Sequence, residues 1–219
     1  MKKVIISPSI LNCDYLHLAN EINKITASGA AWMHFDVMDG HFVPNISIGN
    51  LFLEKVAPHI SQVKDVHIMV RDPLKFVKEF AEAGAEYLTF HLESYRDEKK
   101  IKETIDLIHS LNMKAGISLK PHTKIEKVFP FLNQLDLVLI MSVNPGQGGQ
   151  PFLPEALSRI AKLKKEINKN QLNTLISVDG GINDQTGPHC VESGADVLVV
   201  GSYLFKSKDF ANDYRKLIK

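Results

Sequence analysis

Three copies of one pattern constrain the fold of this chain more than anything else in it. Gly29-Ala30-Ala31-Trp32-Met33-His34-Phe35-Asp36 is the first, Gly84-Ala85-Glu86-Tyr87-Leu88-Thr89-Phe90-His91 the second, and Gly194-Ala195-Asp196-Val197-Leu198-Val199-Val200-Gly201 the third. Each reads as a helix end, a Gly-Ala turn, a buried strand and then a chemically distinctive residue. Gly84 follows Gly29 by 55 positions and Gly194 follows Gly84 by 110. A unit of half the smaller spacing fits about eight times into the 219 residues.

The other strands fall where that spacing asks for them. Apolar or alternating runs predict strands at 4–9, 63–70, 113–119, 135–143 and 175–179. Between them, apolar residues recur at helical spacing over 73–83, 98–111, 124–132 and 154–168. A further helix carries Leu18, Ile22 and Ile25 on one side, with Asp14 placed to cap it. Strands alternating with helices predict a parallel sheet, and eight units in so short a chain predict one closed (β/α)8 TIM barrel over residues 1–219. The structural rival is an open doubly wound sheet. It would want a Gly-x-Gly-x-x-Gly in the first strand-to-helix turn, where Ser7-Pro8-Ser9 stands instead.

Composition narrows the class. No Pro-, Gly- or Ser-rich linker divides the chain, and 44% hydrophobic with 23% charged residues is ordinary for a globular protein. A net charge of +1 supplies no general attraction for nucleic acid or an anionic membrane. The basic start, Met1-Lys2-Lys3, is followed by too short an apolar run for a signal peptide, and no segment has the length of a membrane span. Cys13 and Cys190 offer neither a disulfide framework nor a paired metal motif, so the cytoplasm is the expected compartment.

In a barrel the chemistry collects at the C-terminal ends of the strands. Residues 33–49 are the richest such end: His34, Asp36 and Met38 alternate onto one strand face before Asp39-Gly40 breaks the strand. Read alone, a His–Asp hydrogen bond in a polar core would explain them. Other strand ends repeat the chemistry, however: His67 and Met69, then Met141, then Asp179. Two imidazoles and two carboxylates, His34, Asp36, His67 and Asp179, make a mixed nitrogen–oxygen set for one divalent metal ion (Zn, Fe, Mn or Co). Mg and Ca prefer oxygen alone. His91 also ends a strand and is left outside the set, as a lone barrel His is more often satisfied by hydrogen bonding.

Glycine clusters follow the last three strands: Asn144-Pro145-Gly146-Gln147-Gly148-Gly149-Gln150, then Gly180-Gly181, then Gly201-Ser202. Glycine lets backbone N–H groups approach an anion, and a short following helix adds its positive end, so these loops point to a phosphate. Met38, Met69 and Met141 stand at the same rim. Met is a common gap-filler, but polarizable walls with no proton to give would also suit an electron-rich intermediate.

Ser7-Pro8-Ser9-Ile10-Leu11, His34-x-Asp36-Val37-Met38-Asp39-Gly40-His41-Phe42-Val43-Pro44-Asn45, Asp65-Val66-His67-Ile68-Met69-Val70, Met141-Ser142-Val143-Asn144-Pro145-Gly146-x-Gly148-Gly149-Gln150 and Val178-Asp179-Gly180-Gly181-Ile182 resemble the ribulose-phosphate 3-epimerase family, in the expected order. The resemblance implies a (β/α)8 barrel whose divalent metal is held by His34, Asp36, His67 and Asp179. It implies that Asp36 and Asp179 are the acid/base pair and that Ser9 and His67 contact substrate. It also implies that Gly146, Gln147, Gly148, Gly149, Gly180, Gly181, Gly201 and Ser202 surround the phosphate. Gln147 departs from the family, where many members have Phe, as does Lys120-Pro121-His122, where a small residue often follows the proline. The substrate implied is a pentulose phosphate, ribulose 5-phosphate becoming xylulose 5-phosphate, with a homo-oligomer as the expected assembly. Rivals are epimerisation of a six-carbon ketose phosphate, metal-assisted aldol cleavage, and phosphosugar binding without catalysis.

Overall fold

The computed structural model describes residues 4–217, so the basic start at 1–3 lies outside it. Eight strands run parallel: β1 Ile5–Pro8, β2 Trp32–Met38, β3 Val63–Met69, β4 Tyr87–His91, β5 Lys114–Leu119, β6 Leu137–Met141, β7 Leu175–Asp179 and β8 Val197–Val200. Each strand from β3 to β7 pairs with the one before and after it, β2 pairs with β3, and β8 pairs with β7 and β1. A parallel bridge between Ser9 and His34 joins β1 to β2 and closes the ring. The architecture is a (β/α)8 barrel, as the repeat spacing predicts.

Period-two alternation splits every strand between two environments. The outward set, including Met33, Phe35, Val66, Leu88, Phe90, Ile117, Val138, Ile140 and Leu198, is buried beneath the outer helices. There it meets Ile22 and Ile25 of α1 (Leu18–Ala27), Leu53 of α2 (Asn50–Val56) and Phe80 of α3 (Val77–Glu82). It also meets Ile105 and Ile108 of α4 (Glu98–Ser110), Ile160 and Leu163 of α5 (Glu155–Lys169), and Cys190 of α6 (Thr186–Ser193). Each such fully buried side chain stabilises the fold by roughly 1.5–3 kcal/mol before entropy is counted. The inward set divides by height. Trp32, Leu137, Leu139, Val197 and Val199 pack together inside, with Trp32 against Tyr87 at 4.5 Å between ring centroids. The polar residues lie above this plug, toward the C-terminal ends of the strands.

Three local predictions differ from the structure. Residues 124–132 read as an α-helix, but Ile125–Gln134 is 3₁₀-helical, with Pro130 inside it lacking the N–H that an α-helix would use. The helix expected over 73–83 opens with a 3₁₀ turn, Pro73–Phe76, before α3 begins. Asp14 caps not α1 but the 3₁₀ turn Tyr15–His17, accepting the Leu16 N–H at 3.0 Å. None of these shifts a strand. Short helices α7 (Ser202–Phe205) and α8 (Phe210–Leu217) complete the chain after β8.

Candidate active site

The site begins with the register of β2 on β3. Pairing places Asp65 beside His34, His67 beside Asp36, and Met69 beside Met38. Across the ring, β7 ends in Asp179, beside Met141 of β6. One ligand atom from each of His34, Asp36, His67 and Asp179 lies within 4.8 Å of the others. The first three are buried, and Asp179 is the least enclosed, with 18% of its side chain exposed.

The two imidazoles face this point with different nitrogens. His34 Nδ1 donates to Asp65 Oδ2 at 2.7 Å, which leaves Nε2 aimed inward, 3.3 Å from Asp36 Oδ1. That Nε2 is fully buried and has no hydrogen-bond partner. His67 reverses the arrangement. Its Nδ1 lies 3.2 Å from Asp36 Oδ1 and 4.0 Å from Asp179 Oδ2, while Nε2 faces away toward His91. The other Asp36 oxygen accepts the Ser9 hydroxyl at 2.6 Å. Ser7 donates to Asp65 Oδ2 at 3.2 Å.

The field inside this cluster calls for positive charge. Burial pulls the His34 imidazole down, but the carboxylates of Asp65 and Asp36 outweigh it and hold His34 well above its ordinary range. Burial pushes Asp36 up, yet the facing imidazoles of His34 and His67 keep it well below the usual carboxylate range. Asp179 goes the other way: burial and the nearby negative charge of Asp36 raise it to about 7. Burial lowers His67 and brings His91 to about 4. An unpartnered buried nitrogen, a second inward nitrogen and two carboxylates fit a divalent cation, and the four residues could hold one.

Above the cluster opens a cleft lined by Ser9, Asp36, Asp179, the methionines Met38, Met69 and Met141, and the glycine loops. Gly146, Gln147, Gly148, Gly149, Gly180, Gly181, Gly201 and Ser202 all line it, whereas His34 and His67 do not. No Lys or Arg is among its lining residues, so an anion bound there would rely on backbone N–H groups. The loops are held from outside the cleft. The Ser142 hydroxyl donates to the carbonyls of Asp179 at 2.8 Å and Gly180 at 2.6 Å, and Asn45 Nδ2 donates to the Gly146 carbonyl at 2.7 Å. Gly181 has φ +63°, and a Cβ there would meet the Phe152 backbone nitrogen at 2.6 Å. A Cβ on Gly148 would meet Asn12 Oδ1 at 2.5 Å. Gly181 therefore requires glycine for close approach as well as for conformation, and Gly148 lies close against the Asn12 side chain.

Sequence reasoning brought together the four cluster residues and the cleft glycines but missed the groups behind them. Asp65 shares the inward face of β3 with His67, a signal readable from the strand's alternation. Asn12 fills the space between Gly148 and Gly201 and carried no motif signal. His91, left aside as a satisfied barrel histidine, is satisfied by His67 and Glu93.

Comparison with solved structures supports the barrel alone. A 3-hexulose-6-phosphate synthase from Salmonella typhimurium superposes with a TM-score of 0.70 at 16% identity, covering 98% of this chain and 96% of that one. A chain of the tryptophan synthase complex from Pyrococcus furiosus does so with a TM-score of 0.69 at 14% identity, covering 99% of each. Sequence relatives are far nearer. The ribulose-phosphate 3-epimerase of Bacillus subtilis (strain 168) is 43% identical over 205 residues, 93% of each chain. The chloroplastic ribulose-5-phosphate-3-epimerase of Arabidopsis thaliana is 39% identical over 208 residues, 95% of this chain and 74% of that one. A model of the ribulose-phosphate 3 epimerase family matches residues 5–205, from the first residue of β1 to the last of α7, and the chain belongs to that family.

Proposed function

We propose that this chain interconverts D-ribulose 5-phosphate and D-xylulose 5-phosphate by inverting carbon 3 through two-carboxylate proton transfer. The observation that carries the reading is the convergence of Asp36 from β2 and Asp179 from β7 on one buried point flanked by imidazoles. Family membership supplies the substrate class.

The proton on carbon 3 is only weakly acidic, although the neighbouring ketone activates it. One carboxylate removes it from one face, and the electron pair moves into the ketone to leave an enediolate. The other carboxyl group then delivers a proton to the opposite face, so carbon 3 is inverted and nothing is gained or lost overall. Inversion needs one acidic group bare and the other protonated near neutral pH. Before a cation binds, the depressed Asp36 and the raised Asp179, at about 7, differ in that sense, Asp179 being the carboxyl group that takes up a proton more readily. Held by His34, Asp36, His67 and Asp179, a Zn, Fe, Mn or Co ion would supply Lewis-acid stabilisation to the negative charge developing on the ketone oxygen.

The remaining residues serve the same step. Ser9, hydrogen-bonded to Asp36, orients that carboxylate and reaches the cleft. Met38, Met69 and Met141 wall the cleft with sulfur and methyl groups that hold no proton to return to the wrong position. Gly146 to Gly149, Gly180-Gly181 and Gly201-Ser202 receive the phosphate, with α7 beginning at Ser202. Phosphate binding fixes the sugar's register without touching the reacting carbon. The buried, unpaired Cys13 and Cys190 suit a reducing cytoplasm. Exposed Leu16, Ile46 and Leu51 provide apolar surface for a homo-oligomer to cover.

The test is turnover of the purified, metal-loaded chain on ribulose 5-phosphate and allulose 6-phosphate, followed by NMR of the products. Xylulose 5-phosphate formed in clear preference to the six-carbon reaction is the expected result. Preference for the longer sugar, carbon–carbon cleavage products, or binding without proton exchange would each overturn the proposal.

A further inference from the structure

Glu93 and His91 have no part in the proton transfers above, yet buried atoms tie them to the cluster. His91 closes β4, and the 3₁₀ turn Leu92–Ser94 carries Glu93 beside it. His91 Nε2 lies 2.9 Å from His67 Nε2, and His91 Nδ1 lies 3.2 Å from Glu93 Oε2. Both rings are fully buried. The second oxygen, Glu93 Oε1, accepts the Lys120 backbone N–H at 2.8 Å and the Thr123 hydroxyl. Arg159 fastens the same loop from α5, donating to the Lys120 carbonyl at 2.9 Å and to the Met141 carbonyl at 3.0 Å. Phe42 covers the outer side of His91, with ring centroids 4.6 Å apart. Glu93 is thus anchored at one oxygen and presents the other to His91.

We propose that Glu93 and His91 are positioning residues that fix the tautomer of His67, so that its Nδ1 enters the cluster as a bare lone pair. The inference rests on reading the four-residue cluster as a metal centre, and it extends that reading to residues outside it.

With a cation in the cluster taking up the charge of Asp36, which lies 3.2 Å from His67 Nδ1, the proton count along the chain allows one consistent arrangement with a single proton on each ring. Glu93 is a carboxylate and can only accept, so His91 must carry its proton on Nδ1. His91 Nε2 is then bare and must accept, which requires the proton of His67 on Nε2. His67 Nδ1, facing Asp36 and Asp179, is left as the acceptor a cation needs. The opposite tautomer of His67 would turn a bare His91 Nδ1 toward the Glu93 carboxylate, lone pair against lone pair. His34 reaches the same end by a shorter route, since Asp65 takes the proton on its Nδ1 directly and leaves Nε2 facing inward. The imidazoles enter through different nitrogens, so each requires its own acceptor behind it.

Glu93→Gln tests the relay with little change of shape. The two loop donors, Lys120 N–H and the Thr123 hydroxyl, hold the amide oxygen and turn the NH2 group toward His91. A donor there reverses every proton in the chain and places a hydrogen on His67 Nδ1. Metal-free protein is titrated with Zn2+ against a chromophoric chelator, and nitrogen-15 NMR of histidine-labelled protein reads the tautomers directly. Wild type is expected to bind Zn2+ with His67 protonated on Nε2. Glu93→Gln is expected to bind about 10–100-fold more weakly and to move that proton to Nδ1. Unchanged Zn2+ affinity together with an unchanged His67 tautomer in the variant would overturn the relay while leaving the metal centre intact. Wild-type protein that binds no Zn2+ would overturn the metal reading and the relay with it. Should Glu93→Gln fail to fold, the spectrum of Zn2+-loaded wild type decides: a proton on His91 Nε2 instead of Nδ1 overturns the proposal.

Discussion

Asp179→Asn is expected to lower turnover by about 10²–10⁴-fold, because an amide can neither accept nor return the proton of one half-reaction. The two directions should not suffer alike. Asp36 still removes a proton from its own face, so solvent-deuterium incorporation should survive better from one epimer than from the other. Asp179 also offers an oxygen to the cluster, and metal content must therefore be measured on the same preparation. Lost epimerisation and unequal residual exchange in protein shown to carry its metal is the full expected pattern. Wild-type turnover would remove Asp179 from the acid/base pair.

Stripping the metal with a chelator is expected to abolish epimerisation, and reloading with Zn, Mn, Fe or Co to restore it. The affinity for the ion should depend on pH in a definite direction. Burial and the charge of Asp36 raise Asp179 to about 7, so below that pH its carboxyl group is mostly protonated. Protonated, it must lose that proton before it can ligate. His34, held well above its ordinary range by Asp65 and Asp36, faces the same competition at Nε2. Binding therefore releases protons, and affinity should fall by at least about tenfold for each unit of pH below that value. Competition titrations at several pH values check the slope. A pH-independent affinity, or full activity in protein shown by elemental analysis to be metal-free, would contradict the assignment.

The barrel was legible because its signals are local and repeated. The Gly-Ala turns before Trp32, Tyr87 and Val197 mark helix ends, and period-two alternation along β2 and β3 names the inward residues without knowledge of their neighbours. His34, Asp36, His67 and Asp179 were found because strand ends in a barrel share one rim. What escaped depends on register and packing across the ring. Asp65 becomes the partner of His34 only once β3 is paired with β2 in the observed register. Glu93 reaches His91 through a 3₁₀ turn and meets Lys120 and Thr123 from a loop 27 and 30 positions away. Asn12 matters through a contact with Gly148 that no spacing announces. The 3₁₀ segment Ile125–Gln134 misled because its apolar residues keep helical spacing while Pro130 removes an α-helical donor.

Two acidic groups working from opposite faces of one carbon are the core of the proposed reaction. The direct measurement is the reaction run in deuterium oxide and stopped at low conversion, with isotope at carbon 3 read by NMR in product and in recovered substrate. A bare carboxylate on one side and a solvent-exchanged acid on the other predict xylulose 5-phosphate carrying deuterium and recovered ribulose 5-phosphate still carrying protium. Product retaining the substrate's own hydrogen, or recovered substrate labelled as fast as product, would mean that a single group handles both faces, contrary to the roles given to Asp36 and Asp179.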